Sequence, residues 1–78
     1  MPHVIVKLYP GRTDAVKRHL AETIAGDVAR IADCGRKSIS VAIEEIDPKD
    51  WAEKVYRPDI LQNEDSIVVQ PGYNPFEE

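Results

Sequence analysis

Two residues near the start of the chain combine a type and a position from which chemistry can be built, Pro2 and Arg12. A methionine ahead of a small residue is commonly removed after synthesis, which makes Pro2 the mature terminus. Its nitrogen is then a secondary amine; with Met1 attached it is an amide and no base. A free α-amino group titrates at about pH 7.7–8.0, and partial burial or nearby cations lower that by disfavouring the charged form. A base poised near working pH suits proton transfer next to a carbonyl, and the ring holds the nitrogen rigidly. The plain alternative is an incidental start residue. Arg12 follows the turn Pro10-Gly11 and can hold a carboxylate by two-point bonding; its alternative is a solvated surface arginine. Trp51, the single tryptophan, can wall an apolar pocket with Tyr56 or serve core or interface packing. Cys34 has no base partner in the pattern, and His3 and His19 read as surface residues rather than ligands.

The elements that must position these residues are legible from periodicity. Residues 3–9 alternate as a strand, with Val4, Val6 and Leu8 on one face and His3, Ile5, Lys7 and Tyr9 on the other. Pro10-Gly11 breaks it. Thr13 or Asp14 caps a helix over 14–33, whose apolar stripe is Val16, Leu20, Ile24, Val28 and Ile31. Gly26 costs such a helix about 1 kcal/mol relative to alanine, and Gly35 is placed to end it. Residues 38–46 form a second strand, with Ile39, Val41 and Ile43 facing one way and Ser40, Ala42 and Glu44 the other. Strand, helix, strand makes a βαβ unit with parallel strands. Residues 47–78 read as an irregular arm with short helical turns. Asp47-Pro48 resembles a helix start, Pro58 a stop, 63–66 a turn, and 67–69 a short strand or packed arm.

The bulk composition limits what this α/β chain can be. With 78 residues it forms a single domain, 1–78. A domain of this size buries only about 60% of its unfolded surface and is marginal alone. Disulfides, a metal or association are the usual remedies. One cysteine excludes an internal disulfide and no Cys/His cluster has zinc spacing, so self-association remains. Two strands alone do not make a stable sheet in water, and a second chain supplies the rest. The net charge is −4 and the basic residues are scattered, which argues against nucleic acid. No apolar stretch approaches the ~20 residues of a membrane span, and there is no signal-peptide core. A cytoplasmic protein follows.

Taken in order, Met1-Pro2, an apolar strand, Gly11-Arg12-Thr13-Asp14, the amphipathic helix and Ser38-Ile39-Ser40-Val41 resemble the 4-oxalocrotonate tautomerase family. The register holds without gaps from Pro2 to about Trp51, roughly two-thirds of the chain. The remainder, from Asp47-Pro48 through Pro71-Gly72-Tyr73, resembles the longer, dimeric PptA-like branch.

That resemblance implies an isomerase in which Pro2 moves a proton between the enol oxygen side and carbon of a 2-hydroxy-dienoate or arylpyruvate. It implies that Arg12 binds the substrate carboxylate. Trp51 falls where the prototype has a pocket phenylalanine, and its ring would help keep the amine neutral. Ser40 falls where the prototype has an arginine; the PptA-like branch shares the serine. A serine donates one hydrogen bond and brings no charge, and charge-assisted bonds are worth about twice neutral ones. The implied substrate is therefore a monocarboxylate enol with an apolar or aryl tail, such as phenylenolpyruvate, rather than a dicarboxylate. No metal or other cofactor is called for. The implied assembly is a homodimer with a four-stranded sheet and helices on one face. The added segment 51–62 would block the prototype's trimer of dimers. Two other readings stand beside this one. The first is hydratase, dehalogenase or decarboxylase chemistry of the same superfamily, with Glu44 or Glu45 activating water. The second is a non-enzymatic homodimer in which Pro2 is incidental.

Overall fold

Strand β1, His3–Leu8, runs parallel to β2, Ser40–Glu45, in a two-stranded sheet. The computed structural model describes residues 1–77, and Glu78, the end of the expected arm, lies outside them. The register joins His3 to Ser40, Val4 to Val41, Ile5 to Ala42, Val6 to Ile43, Lys7 to Glu44 and Leu8 to Glu45. Side chains alternate along a strand and paired residues share a side. One face therefore carries Val4, Val6, Leu8, Val41, Ile43 and Glu45, and the other His3, Ile5, Lys7, Ser40, Ala42 and Glu44. β1 ends one residue before Tyr9, ahead of the Pro10-Gly11 turn, where Gly11 has φ 125°. That is a left-handed conformation that glycine accepts without a Cβ penalty.

Helix α1 spans Asp14–Ile31. Thr13 is its N-cap: its hydroxyl oxygen accepts from the Val16 N–H at 3.2 Å. The helix stops two residues before 33, because Asp33 takes the left-handed conformation at φ 54°. The Cys34 N–H then turns back to the Ala29 carbonyl at 3.1 Å, the long bond of a Schellman-type end. Aspartate tolerates this conformation better than most side chains, so the role expected of Gly35 falls to Asp33. Gly35 is extended instead (φ −72°, ψ 139°) and leads a 3-10 turn, Arg36–Ser38. The Ser38 N–H and hydroxyl both donate to the Gly35 carbonyl, at 3.0 and 2.8 Å. β2 consequently begins at Ser40 rather than 38.

α1 lies on the Val41–Ile43–Glu45 side of the sheet. Lys17 Nζ stands 3.4 Å from both Asp14 Oδ1 and Glu45 Oε2, tying the helix to the end of β2. Partial desolvation opposes the Lys17 ammonium, but the bonds and charges of Asp14 and Glu45 together outweigh it and raise its pKa. The expected stripe is only partly used: Leu20, Ile24 and Val28 are half-buried, while Val16 and Ile31 are 50% and 72% exposed. Ala25, on the adjacent line of the helix, is the buried one. A Cβ added at Gly26 would meet nothing within 4 Å. Gly26→Ala is therefore expected to stabilise the fold by about 0.4–1 kcal/mol, read as a higher urea midpoint at unchanged slope.

The chain divides into two compact units, Met1–Glu45 and Ile46–Glu78. In the second, the Asp47 carboxylate caps the 3-10 turn Pro48–Asp50, accepting from the Lys49 N–H at 3.0 Å. A π-helix, Ala52–Ile60, follows and passes through Pro58. The expected stop at Pro58 does not occur. In an α-helix the proline ring collides with the carbonyl four residues back; the wider π turn relieves that crowding and loses only one N–H. Short 3-10 turns continue over Leu61–Ser66, broken at Asn63. Val55 and Tyr56 are buried. Residues 67–69 form neither a strand nor a packed arm, since Val68 and Val69 are almost fully exposed. Among the described residues no helix is long and apolar enough to cross a membrane.

Candidate active site

The parallel ladder brings Pro2 and Ser40 together. The Ser40 N–H donates to the Pro2 carbonyl at 3.2 Å, one bond beyond the strand itself. This fixes the proline at the head of β1, half-buried, with Met1 fully exposed beyond it. Removal of Met1 thus uncovers the Pro2 nitrogen at a point already anchored by the sheet. The Ser40 hydroxyl lies 2.6 Å from His3 Nδ1, a contact that their direct pairing across the ladder allows. His3 is a functional candidate that composition alone does not flag. Its signal is the register, which puts residue 3 opposite residue 40.

Arg12 is placed elsewhere. It follows the far end of β1, and six residues of strand span about 20 Å at roughly 3.3 Å each. Within one chain Arg12 and Pro2 therefore do not meet. The Gly11 turn folds the guanidinium back so that Nη1 donates to the Tyr9 carbonyl at 3.3 Å. One of its five N–H donors is used in this way, which leaves the forked edge available to an anion.

Trp51 belongs to the second unit, and its surroundings there are aromatic. Its indole Nε1–H donates to the Tyr73 hydroxyl at 2.7 Å, and the Tyr56 hydroxyl donates to the Tyr73 carbonyl at 3.0 Å. The Tyr56 and Tyr73 rings are 5.3 Å apart and tilted by 59°, and Phe76 meets Tyr56 edge-on at 6.0 Å. Arg57 covers the Phe76 ring at 4.5 Å and donates two bonds to Glu53, at 2.9 and 3.1 Å. Those bonds hold the Glu53 carboxyl below its ordinary pKa. With its N–H committed to Tyr73, Trp51 offers the apolar ring to its surroundings rather than a donor. Tyr73, 22 residues further on, has no periodicity to reveal it. Tyr73→Phe keeps the ring stack but removes the acceptor. We expect a loss of about 1 kcal/mol and a shifted emission maximum of the single tryptophan.

The acidic candidates for water activation divide between the two sheet faces. Glu45 is engaged by Lys17 on the α1 side, and Glu44 pairs across the ladder with Lys7. Among the described residues no group of three or more His, Cys, Asp or Glu side chains could hold a metal ion.

Comparison with known proteins adds the family. The family described as "Tautomerase enzyme" matches residues 2–56. A protein named "Probable tautomerase" from Xylella fastidiosa is 36% identical over 73 residues, covering 94% of this chain and 89% of that one. "Tautomerase PptA" of Pectobacterium atrosepticum is 35% identical over 75 residues, covering 95% and 99%. The protein of the same name from Cronobacter sakazakii is 31% identical over 74 residues, covering 94% and 97%. With a family match that begins at Pro2 and relatives aligned over nearly their whole length, the chain belongs to the tautomerase family of isomerases.

Proposed function

We propose that this tautomerase ketonises a monocarboxylate enol with an apolar or aryl tail, phenylenolpyruvate being the representative, and that it works as a cytoplasmic homodimer without a cofactor. The observation that carries the reading is the anchoring of Pro2 at the head of β1 by the Ser40 N–H. The free amine takes the enol O–H proton, and the resulting pyrrolidinium delivers a proton to the adjacent carbon. Enol becomes ketone and the amine is regenerated. The Ser40 hydroxyl bonds the reacting oxygen, Arg12 holds the carboxylate and Trp51 supplies a dry wall.

Two facts support the dimer. The first unit exposes half of Ile5 and most of Ile31 and buries only Ala25, so it has little core of its own. Arg12 and Pro2 also lie at opposite ends of β1. In a two-fold dimer the same patch on each copy meets the other in reverse. Antiparallel apposition of two sheets thus sets one copy's Arg12 beside the other's Pro2, and makes a four-stranded sheet. Glu45, one of the two acidic candidates for hydration or dehalogenation chemistry, is engaged by Lys17 on the helix side.

The test is ketonisation of phenylenolpyruvate, followed in the ultraviolet, by protein whose intact mass shows Met1 removed, beside the Met1-retaining form. Turnover confined to the processed form is the expected result. Equal background rates in both would sink the proton-transfer reading.

A further inference from the structure

The hydrogen bond between His3 and Ser40 has two possible directions, and they present opposite faces to a substrate. In a neutral imidazole whose Nδ1 is bare, the Ser40 hydroxyl gives its proton to Nδ1, and the serine oxygen has only lone pairs left to offer. When Nδ1 carries a proton, it donates to Ser40 Oγ across the same 2.6 Å, and the serine O–H is released to donate elsewhere. We propose that His3 is a positioning residue: its protonation turns the Ser40 hydroxyl outward as a donor to the substrate's oxyanion and backs that donor with a positive charge. The pair would thereby supply, in acid, the cationic character that a serine alone lacks. This rests on the reading that substrate oxygen meets Ser40 beside Pro2.

The surroundings leave His3 as the group at this end of the sheet that can do so. Its neighbours on the same face are Ile5 and Ala42; the charged Lys7 and Glu44 come next, four positions along and about 13 Å away. α1 packs on the opposite face, where Glu45 meets Lys17. From the turn before β2, Arg36 reaches back to the Glu22 carbonyl at 3.5 Å, and Lys37 lies three residues upstream of Ser40. Within the first unit, the remaining charge nearby is the processed Pro2 amine, one residue away. Imidazole is the side chain whose charge ordinarily changes between about pH 5 and 8, and the experiment spans that range.

The experiment measures phenylpyruvate affinity by NMR on ¹⁵N-labelled, Met1-free protein at pH 5.5 and pH 8, for the wild type, His3→Asn and Ser40→Ala. Asparagine can bond Ser40 but does not titrate. Any contribution from the charge of Pro2 is common to all three proteins. The wild type should gain about tenfold more affinity on acidification than either variant, the size of one charge-assisted hydrogen bond. The His3 Nδ1 resonance should move in Ser40→Ala while the His19 ring, in the same spectra, stays put. An equal pH dependence in all three proteins, or an unmoved Nδ1 resonance in Ser40→Ala, overturns the proposal. Turnover of phenylenolpyruvate in the same samples reports separately on Pro2. Binding that follows the expected pattern without turnover would overturn the proton-transfer reading and leave the His3 switch standing.

Discussion

Pro2→Ala is expected to lower the ketonisation rate of phenylenolpyruvate by about 10²-fold, and retention of Met1 by about 10⁴-fold. The two changes remove different things. A positioned general base contributes about 10²–10⁴ in rate. Alanine at position 2 is still processed to a free amine of ordinary basicity, so it loses the rigid placement of the nitrogen but not the base itself. Retained Met1 turns the Pro2 nitrogen into an amide, which has no proton affinity to use. The amide form should therefore reach the top of the range and the alanine variant the bottom. Both should keep the sheet, because the bond from the Ser40 N–H goes to the carbonyl of residue 2 and not to its nitrogen. Rates read from initial velocities, with mass spectra fixing the terminus, decide it. Equal rates for processed wild type and Pro2→Ala would mean that any terminal amine suffices and that the ring is incidental.

What could be read before the fold was known, and what could not, follows from the range of the forces involved. Alternation in residues 3–8 and the four-residue spacing through Leu20, Ile24 and Val28 are local, so the βαβ order emerges from the sequence with its faces in place. Ends are decided by single backbone choices. Asp33 rather than Gly35 takes the left-handed turn, and Pro58 is passed because the helix widens around it. The exposed ends of the stripe, Val16 and Ile31, were legible as apolar but not as unburied, since burial depends on what lies opposite. At the site, Pro2 and Arg12 were visible from residue type and position. Their separation along β1, the pairing of His3 with Ser40 and the capture of Trp51 by Tyr73 belong to register and tertiary contact, which no local pattern encodes.

That separation leads to the second large effect. Arg12→Gln should reduce kcat/KM for phenylenolpyruvate by about 10- to 150-fold, the equivalent of about 1.5–3 kcal/mol for a charge-assisted bond at tenfold per 1.4 kcal/mol. Most of the change should appear in KM, because the carboxylate is present equally in ground and transition states. Arg12→Lys keeps the charge but not the forked geometry and should recover part of the loss. The more telling measurement mixes chains. If Arg12 serves the Pro2 of the other copy, Pro2→Ala and Arg12→Gln proteins unfolded and refolded together will form heterodimers in about half of the population, each with one intact site. About a quarter of the wild-type kcat/KM should return, above either parent. If Arg12 instead served its own chain, every heterodimer would contain only damaged sites and the mixture would show no more than the parents' average. The roughly 20 Å of strand between the two residues makes the first outcome the expected one.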